Sequence, residues 1–358
     1  MDIIELLHKS KARGASDLHM IVASPPLVRV NGSLETLNSV VPLTAAEINE
    51  AFLQITSPEE RDIFHKQMEL DFSYVISGVG QFRCNAAMQR GAISLAIRLL
   101  PPRIPTIDEM ELPQICKQLI MRPRGLIIVT GPTGSGKTTT LAAMINHLNL
   151  NDNRHILTIE DPIEYVHPSI NSALTQRELY HDTLSFEQAL KHVLRQDPDV
   201  ILVGEMRDLD TASAVLNVAE TGHLILSTGH APSAPKAMER IIDLFPLNER
   251  GYAQSRLASL LIAVLCQTLV PRADGSGRIA AVEIMLANSA VRNLLREGKT
   301  YQLPNAIRTH RDEGMISLDE VLVDLYLKGV INGESVVNFC NDRAEVEKLI
   351  GRLEVKGV

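Results

Sequence analysis

The sequence predicts an α/β protein in which a parallel-sheet domain follows a small α+β domain. Three observations carry that reading. Four short, β-rich apolar runs alternate with helical segments between Arg124 and about Val270, which is the pattern of a parallel sheet covered by helices. Residues 1 to about 100 instead show alternating polar and apolar runs between turn signals. Between them, residues 101–124 carry Pro101, Pro102, Pro105, Pro113 and Pro123 around one short helical segment, the signature of a stiff connection.

The elements follow in order. A helix in "DIIELLHKSKARG" ends at Gly14, and strands follow in "DLHMIV" and "PLVRVNGSLETL", with Asn31-Gly32 as a hairpin signal. "TAAEINEAFLQI" and "SPEERDIFHKQ" read as helices with Thr44 and Ser57 at their N-caps. "LDFSYVISGVGQFRCNAAMQRGAISLAIRLL" then reads as antiparallel strands, with Arg90 in a turn. The second domain, 125–358, opens with "GLIIVTG", "HILTIED", "DVILVGE" and "HLILSTGH". A hairpin is expected through "ADGSGRIAAVEIML", and a helical part begins at about residue 287, where "SAVRNLLREGK" and "SLDEVLVDLYLKG" each place Ser at the N-cap.

Composition removes several classes of function. The net charge of −8 argues against wrapping a nucleic acid. No apolar run approaches the roughly 18 residues of a membrane span; the longest are "GLIIV" and "SLLIAVLC". The start lacks the apolar core of a signal peptide, so a cytoplasmic chain without a transmembrane segment is expected. Cys84, Cys116, Cys266 and Cys340 form no C-x-x-C half-site, so reduced, mostly buried thiols are expected rather than zinc ligands.

The most informative stretch is "GLIIVTGPTGSGKTTTLAAMINHL", which contains G-x-x-x-x-G-K-T between a buried strand and a helix. Gly131, Gly134 and Gly136 let the backbone turn so that successive N–H groups of the loop face a phosphate, and Pro132, Thr133, Ser135 and Thr139 complete the expected phosphate-binding stretch. Lys137 supplies a charge for the β- and γ-phosphates, and Thr138 offers a hydroxyl to Mg²⁺, so ATP with Mg²⁺ is the expected ligand. In an open α/β sheet the carboxyl ends of the strands line the ligand crevice. The second strand ends in Glu160, Asp161 and Glu164, and the third in Glu205. Glu205 suits a Walker-B position, although the usual aspartate-rich ending is missing. Glu160 and Glu205 are candidates to hold Mg²⁺ through water, and Glu164 or Glu205 to orient the attacking water. His223 and His230 flank the fourth strand, with His230 better placed to sense a γ-phosphate.

Taken together, "GPTGSGKT", "ILTIEDPIEY", "VILVGEMRD" and "GHLILSTGHAPSA" resemble, in order and chemistry, the Walker A, Asp-box, Walker B and His-box motifs of the type II/IV secretion ATPases. Within that family the chain looks like the type IV pilus retraction ATPases, and the resemblance extends to "QFRCNAAMQRGAISLAIR", "LRQDPDVILVGEMRD" and "AVRNLLREGK". The last, Ala290 to Glu297, is similar to a motif tied to retraction; on its own it reads only as an exposed amphipathic helix. The resemblance implies a PAS-like N-terminal domain and a RecA-like ATPase domain, with nucleotide between them and arginines from the N-terminal domain completing the site. Arg83 and Arg98 are the candidates. It also implies a homohexameric ring working on an inner-membrane platform protein at the pilus base, and on the pilus machinery through it. Extension ATPases have longer N-termini and commonly a tetracysteine zinc module, so about 124 preceding residues and scattered cysteines favour retraction.

One departure is plain. The His box of that family has a bulky residue before its second His and Thr after it, where this chain has Gly229 and Ala231. That leaves open a specialised retraction paralogue with weaker ATPase, acting as an accessory or nucleotide-dependent scaffold. A RecA-like motor acting on DNA shares the phosphate loop but needs a basic or aromatic track, and no such run is present, so direct nucleic-acid contact is not expected.

Overall fold

The computed structural model describes residues 2–30, 32–37, 41–76, 79–100 and 103–354, with backbone only for 348–349 and 351–354. Asn31 of the hairpin signal, and Pro101 and Pro102 of the connection, lie outside the described residues. The chain divides into two compact units, Met1–Arg103 with Glu164–Val166, and Ile104–Ile163 with His167–Val358.

The first unit holds α1 (Ile3–Ala12), β1 (Asp17–Met20), β2 (Leu27–Val30), β3 (Ser33–Thr36), α2 (Ala45–Ile55), α3 (Pro58–Gln67), β4 (Glu69–Ile76), β5 (Gly80–Gln89) and β6 (Ala92–Leu99). Thr44 and Ser57 close capping boxes with Glu47 and Glu60, which fixes the starts of α2 and α3. The strands form an antiparallel sheet in the order β3-β2-β1-β6-β5-β4. Period-two alternation turns Phe82, Cys84, Leu95 and Ile97 into a core shared with Ile48, Phe52 and Phe64 of the helices. The opposite residues, among them Arg83 and Arg98, are thereby sent to the other face. Arg90 and Gly91, at φ 52° and 80°, form the tight β5–β6 turn, which needs two left-handed residues.

The second unit begins with α4 (Ile115–Ile120), β7 (Gly125–Thr130), α5 (Lys137–Asn151), β8 (His155–Glu160), β9 (Ala173–Glu178), α6 (Phe186–Val193), β10 (Val200–Val203), α7 (Leu209–Glu220) and β11 (Leu224–Thr228). It continues through α8 (Ala234–Asp243), α9 (Arg250–Leu260), β12 (Leu261–Pro271) and β13 (Arg278–Leu286) to α10 (Ser289–Arg296), α11 (Leu303–Thr309), α12 (Leu318–Leu327), α13 (Gly333–Phe339) and α14 (Arg343–Glu354). Sheet order is β13-β12-β7-β11-β10-β8-β9, parallel throughout except for β13 against β12. Every residue of β7 and β10 is buried because helices cover both faces. Leu126 and Ile128 pack into one cluster with α6–α9, and Ile127 and Val129 into another with α4 and α5. Val270, Ile279 and Ala281 carry a further cluster against α12–α14.

This is the expected α/β architecture, with three differences in detail. β9 is a partly exposed edge strand whose polar "ALTQRE" gives no apolar run, so the sequence reading passed over it. β12, part of the run "SLLIAVLC", is a sixth parallel strand that lies directly beside β7. At α10 the N-cap is Asn288, whose side chain accepts from Val291 N; Ser289 is the first helical residue. Among the described residues no helix is long and apolar enough to cross a membrane. All four cysteines are free, and burial pushes the Cys116 and Cys266 thiols up to about 12.

Candidate active site

The phosphate loop joins the buried end of β7 to the first turn of α5. Gly131, Gly134 and Gly136 take φ of 140°, 76° and 86°, a region that L side chains rarely adopt. A Cβ at residue 131 would stand 2.2 Å from the carbonyl oxygen of Gln267, so that position excludes any side chain. Gly136 is the N-cap of α5, and Lys137, Thr138 and Thr139 form its first turn. Their N–H groups precede the first helical carbonyl partner, which concentrates donor capacity and positive dipole at this point. The Lys137 ammonium, on a side chain only 8% exposed, donates to the Gly131 and Pro132 carbonyls at 2.9 and 3.0 Å. Pro132, Thr133 and Gly134 are exposed at the lip, and Ser135 is buried with its hydroxyl unpartnered. This donor set fits a polyphosphate.

The neighbouring strands bring further groups to the same edge. Moving across the sheet from β7, β11 leads into His230, β10 into Glu205 and β8 into Glu160. Glu205 is 8% exposed; its Oε1 pairs with Arg207 Nε at 2.5 Å, while Oε2 lies 3.3 Å from His230 Nε2. That second approach is close enough for an ion pair with a protonated imidazole, yet its direction forms no hydrogen bond, and Oε2 has no other partner. One carboxylate oxygen is thus held and the other left to act. A cavity of ≈ 310 Å³ opens here, lined by Thr130, Glu205, Arg207, Thr228, His230 and Arg240 among others.

Glu160 is 7% exposed, and its Oε1 accepts from Thr158 Oγ1 at 2.7 Å and from Gln176 Nε2 at 3.2 Å, which ties the end of β8 to β9. Glu164 follows the cis Asp161–Pro162 bond and belongs with the first unit. His223 is not brought to the loop. It precedes β11 at the amino end of the strands, with Nδ1 against Thr221 Oγ1 at 2.8 Å and the Val218 carbonyl at 3.3 Å. β11 runs five residues before reaching the other end, a separation of about 16 Å. The two histidines thus flank β11 at opposite ends, with His230 at the end nearer the loop.

In the first unit, Arg83 and Arg98 are cross-strand partners on β5 and β6 and share the sheet's polar face. Arg98 Nε donates to Asp17 Oδ1 at 2.9 Å, and Arg29 Nε lies 3.9 Å from Asp17 Oδ2. Burial alone raises the Asp17 carboxyl, but hydrogen bonds from Ser16 and Arg98 outweigh it and hold the group below its ordinary value.

Three contributors escaped the sequence reading. Thr130 clasps the His-box segment: its hydroxyl donates to the Ala231 carbonyl at 3.0 Å and accepts from Ala231 N at 2.8 Å. A Cβ at Gly229 would stand 3.1 Å from that hydroxyl, so the small residue here makes room for the clasp. Gln267 packs beneath the loop, and Arg207 holds Glu205. The polar ending of "VILVGEMRD" offered a signal for Arg207. Nothing in the run around Gln267 did.

Known proteins resemble the chain over most of its length. Residues 54–347 match the family model described as type II/IV secretion system protein. The chain is 45% identical over 335 residues to the type IV pilus retraction ATPase PilT of Pseudomonas aeruginosa, covering 94% of this chain and 97% of that one. It is 38% identical over 350 residues to the type IV pilus ATPase PilU of the same organism, covering 98% and 91%. A crystal structure of the pilus retraction motor PilT with bound ADP superposes with a TM-score of 0.92 at 40% identity, covering 97% of this chain and 99% of that one. The chain belongs to the type II/IV secretion system protein family.

Proposed function

We propose that the chain is an ATP-hydrolysing motor subunit that powers type IV pilus retraction. The observation that carries this reading is the glycine loop after β7 with Lys137 at the start of α5, and a Glu205 oxygen without a hydrogen-bond partner after the end of β10. The two named retraction relatives give the reading its biological direction.

The loop amides and the Lys137 ammonium bind and orient the β- and γ-phosphates of ATP. Thr138 would hold Mg²⁺ directly, with Glu205 and Glu160 reaching it through water, a hard-oxygen set suited to that ion; when bound it neutralises phosphate charge. Among the described residues no three His, Cys, Asp or Glu side chains gather as an all-protein metal cage. Glu205 Oε2 orients the attacking water and takes its proton, with Arg207 fixing the other oxygen. Glu164 stands second for that role. His230, 3.3 Å from Glu205, registers the γ-phosphate and passes its loss to the segment ahead of α8. Arg83 and Arg98 supply cationic charge to the transition state, a contribution of roughly 10³–10⁵ in rate for arginine fingers.

In this proposal six copies form a ring at the cytoplasmic face of the inner membrane and work against a platform protein at the pilus base. Domain limits follow the sequence reading: a PAS-like domain to residue 100, a linker to 124 and the ATPase domain beyond. Deleting the gene tests the direction of work: surface pili in excess without twitching support retraction, and loss of pili overturns it. A second reading, a retraction paralogue with weak ATPase, is favoured by one observation, the Gly229 and Ala231 pair in the His box. Steady-state turnover of the purified protein at background level would establish it in place of the first.

A further inference from the structure

A phosphate loop that turns its N–H groups inward must turn carbonyls outward into the protein, where each needs a donor. Ser135 sits at that outward bend and is 3% exposed. Gln267 of β12 meets it: Nε2 donates to the Ser135 carbonyl at 2.6 Å, from a side chain with no exposed surface. The other end of the same amide is held from α5, where Thr140 Oγ1 donates to Gln267 Oε1 at 2.7 Å. A carbonyl cannot donate, so the Thr140 and Ser135 contacts together fix which way the amide points. Gln267 also forms the surface on which two of the motif glycines rest. Its main-chain oxygen would be 2.2 Å from a Cβ at residue 131, and its Nε2 2.9 Å from one at residue 136.

We propose that Gln267 is a positioning residue for nucleotide: it braces the carbonyl side of the phosphate loop against α5, so that the amide side is set for the triphosphate before ATP arrives. The inference rests on the nucleotide-binding reading and deepens it. Gln267 lies behind the loop and has no part in the bond-breaking step, so its contribution belongs to binding. Leucine at this position keeps the volume and loses both hydrogen bonds. Glutamate keeps the shape and the Thr140 contact but opposes the Ser135 carbonyl with an acceptor. Thr140 acts only through the orientation of the amide.

Steady-state ATPase kinetics and ADP binding in magnesium chloride, on the full chain, test the assignment. Gln267→Leu raises the KM for ATP and the Kd for ADP about 10-fold, with kcat within about twofold, the loss expected for one buried hydrogen bond to the loop. Gln267→Glu raises both further. Thr140→Val raises them about threefold, and the Gln267→Leu/Thr140→Val double variant matches Gln267→Leu alone, because the two act as one unit. A merely structural glutamine would lower thermal stability without this KM-against-kcat split. Wild-type KM in Gln267→Leu, a fall in kcat with KM unchanged, or additive effects in the double variant overturn the proposal. If Gln267→Leu does not fold, Thr140→Val decides: KM and Kd unchanged there overturn it. Lys137→Ala separates the two levels. If Lys137→Ala binds ADP as the wild type does, the phosphate-loop reading itself fails; if it loses ADP while Gln267→Leu keeps it, only the role of Gln267 fails.

Discussion

The two ends of the same four parallel strands differ in how far their buried polar groups are paired. At the amino end the polar groups are spent on the chain itself. His155 has Nδ1 against the Asp197 carbonyl and Nε2 against Thr175 Oγ1, both at 3.1 Å, and its N–H donates to Asp199 Oδ2 at 2.8 Å. His223 is likewise engaged by Thr221 and Val218. At the carboxyl end Ser135 Oγ, Ser227 Oγ and Glu205 Oε2 are buried without a hydrogen-bond partner. Leaving a buried polar atom unpaired costs about 1–3 kcal/mol, so three at one edge are a concentrated expense of folding energy. The difference teaches where chemistry is stored: polar groups that the fold has not consumed remain available to a substrate.

The sharpest way to break this comparison is Lys137→Ala. Hydrolysis of ATP should fall to background while circular dichroism and melting temperature stay near wild type; retained turnover would falsify the site. Glu205→Gln comes next, lowering kcat by about 10²–10³ with ATP still bound, as expected for loss of a general base. Single-turnover hydrolysis with radiolabelled ATP separates the two steps. The histidines then set one end against the other. His230→Ala should lower kcat about 10- to 100-fold. His223→Ala should cost only about 0.5–1.5 kcal/mol of stability, read as a lower melting temperature with kcat within about twofold. If the two variants lose activity alike, the distinction between the ends disappears.

The smallest effect concerns Glu283 of β13, buried beneath the start of α8. Burial raises its carboxyl, partly offset by hydrogen bonds from the N–H groups of Ala234 and Leu318. The folded chain therefore keeps this proton to higher pH than the unfolded chain does. Its share of stability is fully present below the ordinary value of 4.5 and is lost as pH rises through the folded-state value. Glu283→Gln should flatten the fall in melting temperature over that window. Asp17 in the first unit has the opposite sign: its lowered carboxyl stabilises above 3.8, and that contribution is lost on acidification. A melting profile across pH for Glu283→Gln and Asp17→Asn should move in opposite directions.

Much of the site was legible because its chemistry is local in sequence. The glycines and Lys137 occupy one loop, and the strand before them is buried throughout and apolar up to Thr130. Glu205 and His230 were legible because they follow apolar runs, and parallel strands bring such endings to one edge. What escaped depends on direction and on distant pairing. Strand direction decides which edge of the sheet a flanking histidine occupies, and it places His223 at the amino edge and His230 at the carboxyl edge. Gln267 reaches the loop across 132 positions of sequence from Ser135, within a run that reads only as buried strand. Asp17 meets Arg98 across 81 positions, a pairing set by β1 against β6. Edge strand β9, being polar, had no periodic signal to show.

The Thr130 hydroxyl has one further consequence. Because it both gives to and takes from the peptide group of Ala231, the last residue of β7 and the stretch leading into α8 are pinned like two leaves of a hinge. The start of the glycine loop and the approach to α8 are thereby joined at Ala231, whose carbonyl also takes the Cys266 thiol at 3.7 Å, while Gly229 N–H donates to the Val129 carbonyl at 3.0 Å.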